Sequence, residues 1–137
     1  MRNWWRHLWP TITNYEEAKL VARTYGAYVS AYLAFSWVTM LVQHFFYYES
    51  PKDTVEFLVV IIFYLIPTFL FLWLMRRIWN RKIVIVPFIL VWFVGQIATN
   101  HIISPGQGWA ITLIITLFAI AALRGWWAVR KYDRASR

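Results

Sequence analysis

The sequence predicts an all-α integral membrane protein: four transmembrane helices preceded by an amphipathic interfacial helix, in a single membrane domain covering residues 1–137. Two observations carry this. Hydrophobic residues make up 61% of the chain and charged residues 15%, more apolar surface than a soluble domain of this length can bury. The charges are also segregated. Residues 27–48, 57–75, 83–103 and 104–123 contain no Asp, Glu, Lys or Arg, and each run reaches or approaches the roughly 20 residues a helix needs to cross about 30 Å of hydrocarbon.

Residues 1–26 read as an interfacial segment. Trp4, Trp5 and Trp9 alternate with Arg2, Arg6 and His7 before Pro10 closes the stretch, a mixture of flat amphipathic rings and cations that suits the headgroup layer. The stretch lacks the compact apolar core of a cleavable signal, so the mature chain is expected to begin at Met1. Thr13-Asn14-Tyr15-Glu16 matches a capping box in which the Thr oxygen and the Glu carboxylate satisfy orphan amides. From Tyr15 onward, Ala18, Val21, Ala22 and Tyr25 share one helical face opposite Glu16, Lys19 and Arg23, the pattern of a helix lying on or bending into a membrane. Gly26 is the expected hinge to the first span.

The spans are expected at about 27–48, 55–75, 83–103 and 109–128. A polar turn from Glu49 to Thr54 separates the first two. Pro67 lies inside the second, where the missing amide should kink the helix, whereas Pro87 falls one turn into the third, where its cost is small. Ser104-Pro105-Gly106-Gln107-Gly108 turns the chain into the fourth. Such short loops favour sequential antiparallel neighbours, hence an up-down-up-down bundle.

Orientation follows from the basic residues. With four spans, one face receives Arg2, Arg6, Lys19, Arg23, Arg76, Arg77, Arg81, Lys82, Arg124, Arg130, Lys131, Arg134 and Arg137, leaving only Lys52 for the other. Lys and Arg are retained on the cytoplasmic side, so both termini are expected there, in a cytoplasmic (inner) membrane. The net charge of +8 is thus a topology signal and a surface for anionic lipid, not for nucleic acid. The bias also opposes a dual-topology antiparallel dimer.

No reaction centre assembles from these spans, so no catalytic residue is assigned and a non-enzyme is expected. There are no cysteines, and no span holds the carboxylate on which proton-coupled transport is usually built. Polar residues gather toward the outer ends of the first and third spans: Gln43 and His44, then Gln96, Thr99, Asn100 and His101. Gly26, Ser30, Trp37 and His44 share a face of the first helix, and Trp92, Gln96 and Asn100 share one on the third. Either Gln43, His44, Gln96 and Asn100 form a polar packing cluster, or they bond to interfacial water. His101 lies off that face, against a paired-histidine haem or metal site, and no metal or cofactor residue is assigned. Glu49, Asp53 and Glu56 form an acidic turn able to bind a cation or simply to be solvated. Trp73, Trp79, Trp109, Trp126 and Trp127 read as interfacial anchors, Trp37 and Trp92 as packing.

Association in lipid needs close backbone approach, marked by small residues at four-residue spacing. Gly26, Ser30 and Ala34 supply this on the first helix, seconded by Ala27 and Ala31. The second helix, with Phe57, Ile61, Phe63, Tyr64, Phe69, Phe71 and Trp73, has no Gly, Ala or Ser from Val55 to Met75 and is expected to face lipid or a loose neighbour. Ala119, Ala121 and Ala122 make the fourth helix the next candidate for tight contact.

The segments EEAKLVARTYGAYVSA (16–31) and ALRGWWAVRKY (122–132) resemble a loose group of small uncharacterised bacterial four-helix membrane proteins with an amphipathic entry helix and a basic Arg-Gly tail. That resemblance implies the topology and no activity. The expectation is an accessory or scaffold subunit packing laterally with other membrane protein subunits. The alternatives are a homo-oligomeric channel or transporter, and a haem, pigment or quinone carrier.

Overall fold

A computed structural model describes residues 10–47, 51–80, 82–103 and 108–136. The helices are α1 (Tyr15–Tyr47), α2 (Thr54–Trp79), α3 (Val86–Ile103, entered through a 3-10 turn at Ile83–Ile85) and α4 (Trp109–Ala135). With the 3-10 turn counted into α3, four helices are long and apolar enough to cross a membrane. The Trp- and Arg-rich stretch to Trp9, Glu49 of the acidic turn, Arg81 and the turn at 104–107 lie outside the described residues.

Gly26 is not a hinge. α1 runs through it unbroken for 33 residues, about 50 Å at the α-helical rise, so residues 15–26 are the first turns of α1 and not a separate interfacial helix. The reason is packing: Gly26 is buried, and a Cβ there would stand 3.0 Å from Val86 Cγ2 and 3.6 Å from Ile78 Cδ1. Glycine serves here to let α3 and the end of α2 approach, while the helical backbone needs no special freedom.

The start of α1 is capped one residue later than the Thr13–Glu16 box. Asn14 Oδ1 accepts the Glu17 amide at 2.9 Å, and Glu17 reaches back to accept both the Thr13 amide and the Thr13 hydroxyl at 2.7 Å. Asn14 is therefore the N-cap and Glu17 the third helical residue. The Thr13 hydroxyl, then its amide, hold the Glu17 carboxyl, which precedes the expected span, below its ordinary value. Glu16 is left to pair with Lys19 at 3.7 Å. α2 opens with the same device. Asp53 accepts the Glu56 amide at 2.7 Å and Glu56 accepts the Lys52 amide at 2.8 Å, so two members of the expected acidic turn are used in capping.

Pro67 sits within an α2 that continues on both sides of it. Pro87 occupies the second position of α3, where the missing amide would have had no helical partner anyway.

Contacts between helices fix the topology. α1 meets α2 at Ser30–Phe71, Trp37–Tyr64 and Phe45–Phe57, one chain number rising as the other falls, so they are antiparallel. α1 meets α4 at Tyr15–Tyr132 and Tyr25–Phe118, again antiparallel. α1 meets α3 at Gly26–Val86, Tyr32–Phe93 and Ser36–Gln96, rising together. The bundle is up-down-up-down with α1 at its centre. One end, where α1 and α3 begin and α2 and α4 finish, holds every described Lys and Arg except Lys52; we call it the basic end.

The core is confined to that end. Buried residues run from Ala18 to Ala34 on α1, Thr68 to Ile78 on α2, Ile83 to Phe93 on the third span and Ala119 to Val129 on α4; toward the far end no described residue is buried. The cause is legible along one row of α1. Ala18, Ala22, Gly26, Ser30 and Ala34 are small and admit neighbours, but the next members at four-residue spacing are Val38, Val42 and Phe46, all exposed. Where the small side chains stop, so does close packing.

Candidate functional site

At the basic end α1 and α4 touch backbone to backbone. A Cβ on Gly125 would lie 2.5 Å from the Ala22 amide nitrogen and 2.9 Å from the Ala18 carbonyl oxygen, and real Cβ atoms do not approach so closely. Ala121, Ala122 and Val129 are buried around it. Beyond this crossing the two helices stay paired. Tyr15 and Tyr132 meet edge-on with centroids 6.2 Å apart, and the Tyr132 hydroxyl donates to the Thr13 carbonyl at 3.2 Å. The expected packing residues Gly26, Ser30 and Ala34 are all buried, as are Ala27 and Ala119, but Gly26 faces Val86 and Ile78 and Ser30 faces α2, not α4.

Ser30 is fully buried and donates its hydroxyl to the Phe71 carbonyl at 2.7 Å. α2 is otherwise largely exposed, with Phe63 at 59% and Phe69 at 64%, but Phe71 departs from the expected outward bulk and is completely buried. Trp92 of α3 packs against its ring with centroids 5.6 Å apart.

The polar residues toward the far end divide between two contacts. Ser30, Trp37 and His44, which share a face of α1, all meet α2: Trp37 packs on Phe63 and Tyr64, and His44 Nδ1 stands 3.4 Å from the Tyr64 hydroxyl. Gln96 of α3 instead donates to the Ser36 hydroxyl, which in turn donates to the Leu33 carbonyl at 3.2 Å. Eight residues separate Ser36 from His44, about 80° around the helix, so they serve different neighbours. Gln43 is exposed and Asn100 half-buried, and neither makes a side-chain hydrogen bond among the described residues. His101 is exposed.

Two side-chain atoms of this region are buried without a hydrogen bond: Trp37 Nε1 and Gln96 Oε1. Each costs on the order of 1–3 kcal/mol when left so. Ser36 and Tyr64 are the partners that sequence reasoning missed, since a lone serine and a tyrosine in an aromatic helix carry no distinguishing pattern. Ala18, Ala22 and Gly125 were also missed, although Ala18 and Ala22 continue the Gly26–Ser30–Ala34 series backward at the same spacing.

Tryptophans at the basic end pair with cations. Arg77 lies 4.7 Å from the Trp73 ring centroid, Arg130 4.6 Å from Trp126, and Arg23 5.8 Å from Trp79. Among the described residues no three His, Asp or Glu side chains converge as metal ligands would. No protein-family model, curated protein or solved structure matches the chain.

Proposed function

We propose that this chain is an integral membrane protein of the cytoplasmic membrane of a bacterial cell, with both termini inside, and that it is a non-enzymatic accessory subunit packing laterally in a larger membrane complex. The small-protein group it resembles, with an entry segment, four spans and a basic tail, fits that placement. Orientation is supported by the gathering of cations and Trp side chains at one end of four apolar helices.

The single observation that supports the subunit reading is the uneven core. The basic end is closed by small-residue packing, while residues 35–47, 54–67, 94–103 and 109–118, toward the far end, hold no buried residue among those described. Those segments carry Gln43, Thr99, Asn100 and the unsatisfied Gln96 Oε1. Lipid chains offer no hydrogen bonds, so polar groups outside the buried core favour another protein's helix as neighbour. A partner helix inserted there would supply both contacts and polar atoms.

Extraction in mild detergent, followed by mass spectrometry and an absorption spectrum, tests the reading. Stoichiometric partner chains are expected. A pure homo-oligomer would favour a channel or transporter, and a Soret or pigment band would favour a haem, pigment or quinone carrier; either result replaces the subunit reading.

A further inference from the structure

At the basic end a cleft of about 400 Å³ opens beside the first turns of α1, lined by Glu16, Glu17, Lys19, Leu20 and Arg23, with Ile83 of the 3-10 turn among them. Its size is that of a site for a small ligand group. Arg23 is the unbalanced member. Its half-buried guanidinium lies 5.8 Å from the Trp79 ring centroid, but among the described residues it makes no hydrogen bond or ion pair, and its Nε is buried without an acceptor. The two carboxylates that line the same cleft are engaged elsewhere, Glu16 with Lys19 and Glu17 with Thr13. Residues 1–9 and 81 contain no Asp or Glu.

We propose that this cleft binds the headgroup of a zwitterionic phospholipid with a primary amine, such as phosphatidylethanolamine, its phosphate on Arg23 and its ammonium on Glu16. The proposal rests on the membrane placement given above but not on the existence of a partner subunit. A half-buried cation without a counter-charge calls for an anionic oxygen, to which its N–H groups donate charge-assisted hydrogen bonds. The lining as a whole holds two carboxylates and two cations, so the site is neutral and matches a ligand that carries both charges. Glu16 and Arg23 are seven residues apart, on one side of the helix and about 10 Å from each other along it, with Lys19 and Leu20 between them. The Glu16 side chain is 80% exposed and can turn from Lys19 toward an ammonium. Leu20, 53% exposed, and Ile83 offer an apolar wall to the glycerol and first methylenes of a lipid, a contact that soluble phosphoethanolamine cannot make.

The full chain, reconstituted into nanodiscs of phosphatidylethanolamine, phosphatidylcholine and phosphatidylglycerol in equal parts, is released into the gas phase and its retained lipid weighed by native mass spectrometry. Incorporation into the nanodisc checks the membrane placement; the lipid that stays bound checks the cleft. Phosphatidylethanolamine should be retained over phosphatidylcholine, whose quaternary ammonium has no N–H for Glu16, and over phosphatidylglycerol, which has no cation. Arg23→Gln should lower its retention about tenfold, the effect of losing one charge-assisted hydrogen bond. Arg130→Gln, which removes a cation from a tryptophan face outside the cleft, should change it less than twofold. Glu16→Gln should bring retention of phosphatidylethanolamine and phosphatidylcholine together, and soluble phosphoethanolamine should displace neither. Preferred retention of phosphatidylglycerol, equal loss in Arg23→Gln and Arg130→Gln, or displacement by the soluble headgroup would overturn the proposal. Should Arg23→Gln fail to fold, the exposed Glu16→Gln still decides, since an unchanged preference for phosphatidylethanolamine over phosphatidylcholine would also overturn it.

Discussion

Gly125 approaches Ala22 so closely that a methyl group on the glycine would sit 2.5 Å from the Ala22 backbone nitrogen. Nothing flexible lies in the way; only separation of α1 from α4 would relieve the clash. Gly95 of α3 has nothing within 4 Å of its Cβ direction. Gly125→Ala is therefore expected to destabilise by about 1–3 kcal/mol, the usual range for overpacking. Gly95→Ala, which gains helix propensity, should be neutral or mildly stabilising. Thermal unfolding in detergent compares them, and similar melting of the two variants would show that this crossing is not a tight one.

Ser30 tests the seam between α1 and α2. Ser30→Ala removes one buried hydrogen bond to the Phe71 carbonyl and should cost about 1 kcal/mol. Ser30→Leu adds volume where no space exists and should sharply reduce recovery of folded protein, while Phe63→Leu, at a position 59% exposed, should be tolerated. Equal recovery of Ser30→Leu and Phe63→Leu would mean that the packing faces are wrongly assigned.

These two seams also mark how far the sequence can be read. Four charge-free runs gave the helices and their order, because the length of a hydrocarbon crossing is a constraint within each segment. The Gly26–Ser30–Ala34 spacing pointed to the right face of α1. What was not legible is what depends on two segments at once. Ala18 and Ala22 looked like the apolar face of a surface helix until Gly125, more than 100 positions later, was brought against them. Phe71 looked like its aromatic neighbours, and only the serine opposite distinguishes it. His44 and Gln96 both lie toward the outer ends of their helices and invited pairing, but Gln96 is level with Ser36, and His44, eight residues and about 12 Å farther along α1, meets Tyr64 instead.

The Ser36–Gln96 contact predicts a measurable coupling. A double-mutant cycle with Ser36→Ala and Gln96→Leu should give an interaction energy of about 0.6 kcal/mol, the average for polar pairs between membrane helices. The His44→Ala and Gln96→Leu cycle should be additive. Coupling in the second cycle and none in the first would restore a single polar cluster of His44, Gln96 and Asn100.

Orientation is tested in intact cells with a membrane-impermeant thiol reagent, which the absence of native cysteines makes simple. Single cysteines replacing Ser50 and Ser104 should label, and those replacing Asn80 and Ser136 should not. The reverse pattern would refute the reading of the basic end as cytoplasmic.

The claim that the far end, beyond the buried core, receives another protein is tested most directly by photocrosslinking in the living membrane. A photoreactive amino acid at Asn100, on the far half of α3, is compared with one at Phe69, which is 64% exposed on the bulky face of α2. The account predicts a discrete adduct of Asn100 with a different membrane protein and only lipid adducts at Phe69. Lipid adducts alone at both positions, or an Asn100 adduct only with a second copy of this chain, would contradict it.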